Sequence, residues 1–411
     1  MSEVFVVSAV RTAVGAFGGA LRKYEPADLA ARMTGETIRR SGIDPATVGH
    51  VVFGQVIPTA PRDAYLARIA ALGAGLPTSV PALTVNRLCG SGLQAIVSAA
   101  QAILLGDCDV AVGGGAEVMS RAPYLAPVVR WGHKLGDATL VDALNGALTD
   151  PFEHILMGVT AENVADRYSI TRDQQDALAL ESHRRAARAI AESRFAGQIV
   201  PLMNETRSGV VEFSVDEHVR SDTTTRDLAK LRPIFRKEGG TVTAGNASGI
   251  NDGAAAVLLA NAKAIQGGRL TPMARLVAYA HAGVEPAYMG MGPVPATRKA
   301  LERARLTVAD LDVIESNEAF AAQACAVARE LGFDPDKTNP NGSGISIGHP
   351  VGATGAILVT KLVHELHRRQ GRYGLATMCI GGGQGIAAIF ERVQATHGKS
   401  RQARLKAYPI S

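Results

Sequence analysis

Residues 93–115 read LQAIVSAAQAILLGDCDVAVGGG. A long run rich in Ala, Ile and Leu meets a glycine turn, and a short valine-rich run follows and ends in three glycines. The first part has the length of a helix; the second has the length and the β-branched composition of a strand. Residues 356–383, AILVTKLVHELHRRQGRYGLATMCIGGG, repeat the order of helix, glycine turn, strand and three glycines. A second echo pairs ETIRRSGIDPATVGHVVF (36–53) with KALERARLTVADLDVI (299–314): a helix end, a turn, a small helical turn and a strand. One α/β unit used twice accounts for both echoes, and two such halves would pack around one buried pair of helices. Chance likeness between two α/β units is the competing explanation.

The rest of the chain fits this frame. Strand-like runs such as VFVVSAV, HVVFGQV, ARLVAYA and DVIES alternate with longer Ala-rich runs, which argues for α/β layers. At 411 residues the chain exceeds what one ordinary core accommodates. The texture changes between 118 and 245, where RAPYLAPVVRWG, a polar helix TRDQQDALALESHRRAARAIAESRF and Thr-rich charged segments occur. The expected division is an N-terminal half (1–117 and 246–270), an inserted loop domain (118–245), a C-terminal half (271–393) and a basic tail (394–411). That tail carries much of the net charge of +5 and reads as a solvated end. No nucleic-acid motif accompanies it. No apolar run is expected to approach the roughly 18 residues of a membrane span. The N-terminus reads as a first strand, not a signal peptide. Cys89, Cys108, Cys325 and Cys379 form no CxxC pair, so they are expected to be reduced thiols in the cytoplasm.

Four stretches carry chemistry. In TVNRLCGSGLQA (84–95), Cys89 stands just before a helix whose free N–H groups and dipole would lower its pKa, and Gly90 and Gly92 leave room for close approach. The bland alternative is a buried structural cysteine. In NPNGSGISIGHPVGATG (339–355), His349 lies in a glycine-rich turn and could serve as a base toward a thiol. In LATMCIGGGQGIA (375–387), Cys379 ends a strand, and the N–H groups of Gly381–Gly383 can form an anion hollow. This second glycine-flanked cysteine is expected at the matching place in the other half. In ESNEAFAAQACAVA (315–328), Asn317 is either a helix cap or an amide aimed at an oxyanion. His364 and His367 lack metalloprotease spacing and read as a solvated helix face. The GGG at 113–115 lacks the order of a dinucleotide loop. Cys108 and Cys325 read as core.

NRLCGSGLQA, GNASGINDGAAA, NEAFAAQ, GSGISIGHPVGATG and CIGGGQGIA together resemble the motifs of the thiolase family, in its order and spacing, over about residues 3–392. The resemblance is to bacterial β-ketothiolases of the acetyl-CoA acetyltransferase type; NGSGIS before the histidine is similar to broad-specificity members that supply polyhydroxyalkanoate synthesis. It implies a duplicated five-layer α/β/α/β/α fold with an inserted loop domain, a homotetramer built from dimers, and acetyl-CoA and other short acyl-CoA thioesters as substrates. It implies no resident cofactor, metal, nucleic acid or membrane. By the same resemblance Cys89 would be acylated, His349 would activate it, and Cys379 would move the α-proton. Asn317, through a water, and His349 would steady the enolate oxygen. The N–H groups of Cys89 and Gly381 would form a second oxyanion hole. Leu148, Met157, Arg220, Phe235, Ala244, Ser248, Met289, Ala319 and Phe320 would line the coenzyme A path, with Arg220 favouring phosphate. Many relatives have a histidine where this chain has Leu156, with His154 two positions earlier. Two rivals remain at this stage: a ketoacyl synthase acting on acyl carrier protein, and a thiolase-like protein that binds acyl-CoA or lipid without turnover. A Cys89–Cys379 disulfide is compatible with catalysis.

Overall fold

The computed structural model describes residues 3–206, 209–268 and 270–394. The predicted basic tail lies, apart from its first residue, outside the described residues. Nine strands form the path of one large sheet: β1 (Val4–Arg11), β2 (His50–Gly54), β3 (Ala82–Val85), β4 (Val110–Val118), β5 (Asn251–Asn261), β6 (Ala274–Gly283), β7 (Leu311–Ser316), β8 (Tyr373–Ile380) and β9 (Gln384–Arg392). Their spatial order is β7-β8-β9-β6-β1-β5-β4-β2-β3, and the two-residue strand Gly15–Ala16 adds to β5. Only two residue pairs, Phe5 with Arg275 and Val6 with Ala274, join the halves at β1 and β6. On either side of this narrow seam the order of antiparallel and parallel pairs matches: β1-β5-β4 then parallel β2, and β6-β9-β8 then parallel β7.

Both sequence echoes become repeated structure. The first is a helix, a 3-10 turn and a strand: Pro26–Ser41, Pro45–Thr47 and β2 in one half, Pro293–Ala304, Val308–Asp310 and β7 in the other. The second gives two core helices, α1 (Ser91–Leu105) and α2 (Thr354–Arg369), which pack against each other and touch strands of both half-sheets. With Pro26–Ser41 on one outer face and Pro293–Ala304 on the other, five layers result.

Alternation along the strands explains the layering. In β5, Ala255, Val257 and Leu259 face the helix pair, while Ala254, Ala256, Leu258 and Ala260 face the outer helix. In β8 and β9, Ala376, Met378, Ile380 and Ile386 point inward, and Leu375, Ala387 and Ile389 point outward. Strands covered on both faces read as continuous apolar runs. The core helices approach most closely at glycines: a Cβ on Gly355 would stand 2.3 Å from the Leu93 backbone, and one on Gly92 would stand 2.8 Å from that of Ala356.

Two expectations need correction here. The span Leu88–Leu105 does have the length and apolar composition of a membrane helix; it is the core helix of the N-terminal half, held between protein layers. His364 and His367 are not a solvated face, because their Nε2 atoms bond the carbonyls of Ala9 (3.0 Å) and Met273 (2.8 Å) and help seat α2.

Candidate active site

Cys89 sits in a tight turn before α1. Leu88 is held at φ 46°, in the left-handed region, by bonds on both sides: its N–H donates to Asn86 Oδ1 (2.9 Å) and its carbonyl accepts from the Ser91 hydroxyl (2.6 Å). That hydroxyl also accepts from the Arg87 N–H at 2.8 Å. The turn presents the sulfur to a cavity lined by Leu88, Cys89, His349, Cys379 and Gly381. The residues come from both halves and from nearly 300 positions of sequence, and the layering described above is what makes them neighbours.

The thiol is not pre-ionised. Burial pushes Cys89 up to about 11, against the pull of the N–H groups of Gly381 and of Cys89 itself. The expectation that a helix start would lower its pKa is therefore overturned: desolvation outweighs the dipole. Cys379, 1% exposed, is pushed up further by burial and then by the neighbouring Cys89 sulfur. It closes the strand β8, whereas Cys89 opens the helix α1, so the two cysteines do not occupy matching places in the halves. Met157, Met289, Ala319 and Phe320 pack with Cys379 as the apolar wall of the site.

His349 is buried and its protonated form is disfavoured, with its pKa down to about 4 because of desolvation. Its Nδ1 lies 2.7 Å from Thr354 Oγ1, and that hydroxyl gives its own hydrogen to the Pro350 carbonyl (2.8 Å). The hydroxyl must then accept from His349, which places the ring proton on Nδ1 and leaves Nε2 with a free lone pair. The main chain is fixed by the His349 N–H donating to Asn251 Oδ1 at 3.0 Å. Gly348, at φ 114°, leaves no room for a side chain there: its Cβ would meet the Asn251 amide at 2.5 Å. Asn317 Nδ2 stands 3.4 Å from Nε2 and 3.5 Å from Nδ1. Near-equal distances place the amide over the ring face, in line with neither lone pair. Its Oδ1 is buried without a partner. Glu318 beside it is a structural anchor: it accepts from Ser182 Oγ (2.6 Å) and Asn339 Nδ2 (2.9 Å).

The residues expected along a coenzyme A path fall into two adjoining cavities. Leu148, Met157, Ser248, Met289, Ala319 and Phe320 line the one that holds the cysteines. Arg220 and Ala244 line a second, with His183, His218 and Asp227. The strip between them is continuous: Ala247 bridges to Phe320, and the Ser248 N–H donates to the Ala319 carbonyl at 2.9 Å. Phe235 lines neither cavity but packs its ring edge-on to Phe320, with centroids 6.2 Å apart. Arg220 is exposed and makes no salt bridge among the described residues. Its N–H donates to His183 Nδ1 (3.1 Å), and burial keeps His183 neutral, with its pKa lowered to about 4. Leu156 caps the helix Met157–Arg167 and lines neither cavity. Cys108 is half-buried in the turn before β4, short of the core position expected for it.

Sequence reasoning missed Val56, Ala147 and Val351 in the cavity wall, and Thr354 and Asn251 behind His349. Thr354 had a signal, a hydroxyl five positions after a histidine at a helix start. Val351 and Asn251 lay inside stretches already quoted but are ordinary residues there, and Val56 and Ala147 are brought in by other segments.

Residues 4–263 match the family model described as Thiolase, N-terminal domain, and 270–392 match Thiolase, C-terminal domain. The chain is 65% identical over 391 residues to Beta-ketothiolase BktB of Cupriavidus necator, covering 95% of this chain and 99% of that one. It is 50% identical over 392 residues to an acetyl-CoA acetyltransferase of Chromobacterium violaceum, covering 95% and 100%. The crystal structure of human mitochondrial 3-ketoacyl-CoA thiolase in complex with CoA superposes with a TM-score of 0.92 at 44% identity, over 96% of this chain and 98% of that one. A duplicated five-layer architecture with two cysteines and a histidine converging on one cavity, matched by both family models, makes this chain a member of the thiolase family.

Proposed function

We propose that the protein catalyses the thiolase reaction, the reversible Claisen condensation of two acyl-CoA molecules to a 3-ketoacyl-CoA and coenzyme A, through an acyl group held on Cys89. The observation that carries this reading is the meeting of Cys89, His349, Cys379 and Gly381 in one cavity.

Protons balance with these groups alone. His349 Nε2 takes the Cys89 proton as the sulfur attacks the thioester, so the thiolate forms only as it is consumed. The N–H groups of Cys89 and Gly381 receive the oxyanion. Cys379 gives its proton to the departing coenzyme A thiolate and becomes the base. With Cys89 acylated, the Cys379 thiolate removes the α-proton of the second acetyl-CoA. The enolate oxygen rests on the Nε2–H of the imidazolium and on Asn317 Nδ2, directly or through a water. Attack on the acyl group expels the Cys89 sulfur, which recovers its proton from His349. Ping-pong kinetics follow. The raised pKa of Cys379 suits this sequence, because a strongly basic thiolate is what a weakly acidic α-carbon requires.

Coenzyme A would run from Met157, Met289 and Phe320 past Phe235 and Ser248 toward Ala244 and Arg220, whose free guanidinium suits a phosphate. The void at the sulfur is about 60 Å³, small beside the ~300–1,000 Å³ of sites for drug-sized ligands. That supports short acyl groups: acetoacetyl-CoA and 3-ketovaleryl-CoA, the latter of use in polyhydroxyalkanoate supply. Tyr124, Trp131 and Leu135 are 66%, 87% and 92% exposed in the inserted region, which supports assembly into a homotetramer. Four free thiols fit a reducing cytoplasm.

Labelled acetyl-CoA tests the roles. Cys379→Ala should retain label on Cys89 and fail to condense, and Cys89→Ala should hold no label. Absence of label on Cys89 in the Cys379→Ala protein refutes the assignment. Preference for acyl carrier protein thioesters over coenzyme A thioesters would favour the synthase reading instead.

A further inference from the structure

Glu117 is a fully buried carboxyl that the acyl-transfer steps do not use. It lies near the end of β4, in the N-terminal half. Its Oε2 accepts from the Val56 N–H (2.9 Å) and from the Gly352 N–H (2.9 Å), and its Oε1 accepts from the Ile57 N–H (3.1 Å). Val56 lines the reaction cavity, and Gly352 follows His349 by three residues in the C-terminal half. Gly352 is pressed against the carboxylate so closely that a Cβ would stand 2.5 Å from Oε2. The same glycine's carbonyl would meet a Cβ on Gly115, two residues before Glu117 on β4, at 2.2 Å. One side chain thus ties the wall beside Cys89 to the loop that carries His349.

Resting on the acyl-cysteine reading above, we infer that Glu117 is a positioning residue of the thiolase site: its two carboxyl oxygens clamp the loop after His349 onto the Val56–Ile57 segment and so set the distance between the Cys89 sulfur and the His349 ring. Among the described residues no other side chain accepts from these three N–H groups, so their register depends on two oxygens. A clamp across two halves is needed here because neither half alone holds both reacting groups. Burial raises the Glu117 carboxyl to about 8 against the pull of its three N–H donors, with a smaller push the same way from Asp63, and the charge Glu117 carries above that pH opposes the Cys89 thiolate; His349 and Cys379 complete the titratable set around the sulfur.

Glu117→Gln tests the clamp. It preserves volume, but an amide NH2 cannot accept from a backbone N–H, so at least one of the three bonds is lost. Turnover should fall about 100-fold, as for a misplacement of about 1 Å, while KM for acetyl-CoA changes by less than about threefold. Alkylation of Cys89 by iodoacetamide should move to lower pH, because the carboxylate that opposes the thiolate is gone. Glu117→Asp keeps the charge and shortens the reach; it should lose turnover with the alkylation profile unmoved, and it serves if the glutamine variant does not fold. Wild-type turnover in both variants, or a loss that only tracks the fraction of folded protein with no change in the alkylation profile of Glu117→Gln, overturns the inference. Turnover by Cys89→Ala would instead refute the acyl-cysteine reading on which it rests.

Discussion

The two halves share a fold and divide the chemistry. In the N-terminal half the GGG of 113–115 stays inside strand β4, where small size is its purpose: a Cβ on Gly113 would lie 2.6 Å from the Ile96 Cα. In the C-terminal half the corresponding GGG of 381–383 leaves the strand and turns, with Gly382 at φ 75° and Gly383 at φ 82°. The turn frees the Gly381 N–H to reach the Cys89 sulfur. The helices differ in the same way. Helix α1 begins just after Cys89, while α2 begins with Thr354, which bonds His349 five residues upstream. The repeated fold offers two like cradles, and in the proposed reaction each holds a different part: one the attacking sulfur, the other the proton carriers.

The sharpest way to break this comparison is to disturb the helix starts separately. Thr354→Val removes the acceptor that fixes His349 in the Nδ1–H form. Turnover should fall about 10- to 100-fold with little change in KM, measured by steady-state condensation. Ser91→Ala in the other half acts on the cysteine turn, where the hydroxyl bonds Arg87 and Leu88. It should slow acylation of Cys89 by a smaller factor, about tenfold, in a single-turnover assay. If Thr354→Val leaves turnover unchanged, the tautomer assignment is wrong.

The glycine triplets give the next test. Gly115→Ala forces a Cβ against the Gly352 carbonyl, a backbone atom, and should cost about 1–3 kcal/mol in denaturant unfolding, with loss of activity. Gly382→Ala meets only Phe152 at 3.9 Å, so its cost should be the left-handed backbone alone, about 1–2 kcal/mol. Equal effects on stability with no effect of Gly115→Ala on activity would show that close packing of the halves does not set the site.

The smallest expected effect is on acid stability. His183, His281 and His349 are each lowered to about 4 from an ordinary value near 6.5, chiefly by burial. At these rings the unfolded chain binds protons that the folded one does not, so each ring lowers stability as pH drops from 6.5 toward 4, while Glu117, Glu315 and Asp252, raised by burial, act in the opposite direction. Thermal unfolding followed across that window should show the midpoint of His281→Gln rising relative to the wild type as pH falls. A difference between the two that does not change with pH would mean that this ring is protonated in the folded chain.

Much of this was legible in the chain itself. Alternation of strand and helix lengths, and the two internal echoes, specified layered halves around a buried helix pair, because periodicity and length are local properties. Cys89, His349, Cys379 and Gly381 stood out because glycine beside a reactive side chain is a local signal too, and Asn317 because it is polar between a strand and an apolar helix. What only the tertiary structure decided depends on distant segments. Burial raised the Cys89 pKa where the helix start alone would lower it, since desolvation is set by everything packed around the sulfur. It also tied the half-buried His364 and His367 to carbonyls of distant segments, and gathered the N–H groups of Val56, Ile57 and Gly352 around the Glu117 carboxyl. Sequence order states which groups are available; their distances and their solvent are properties of the packed whole.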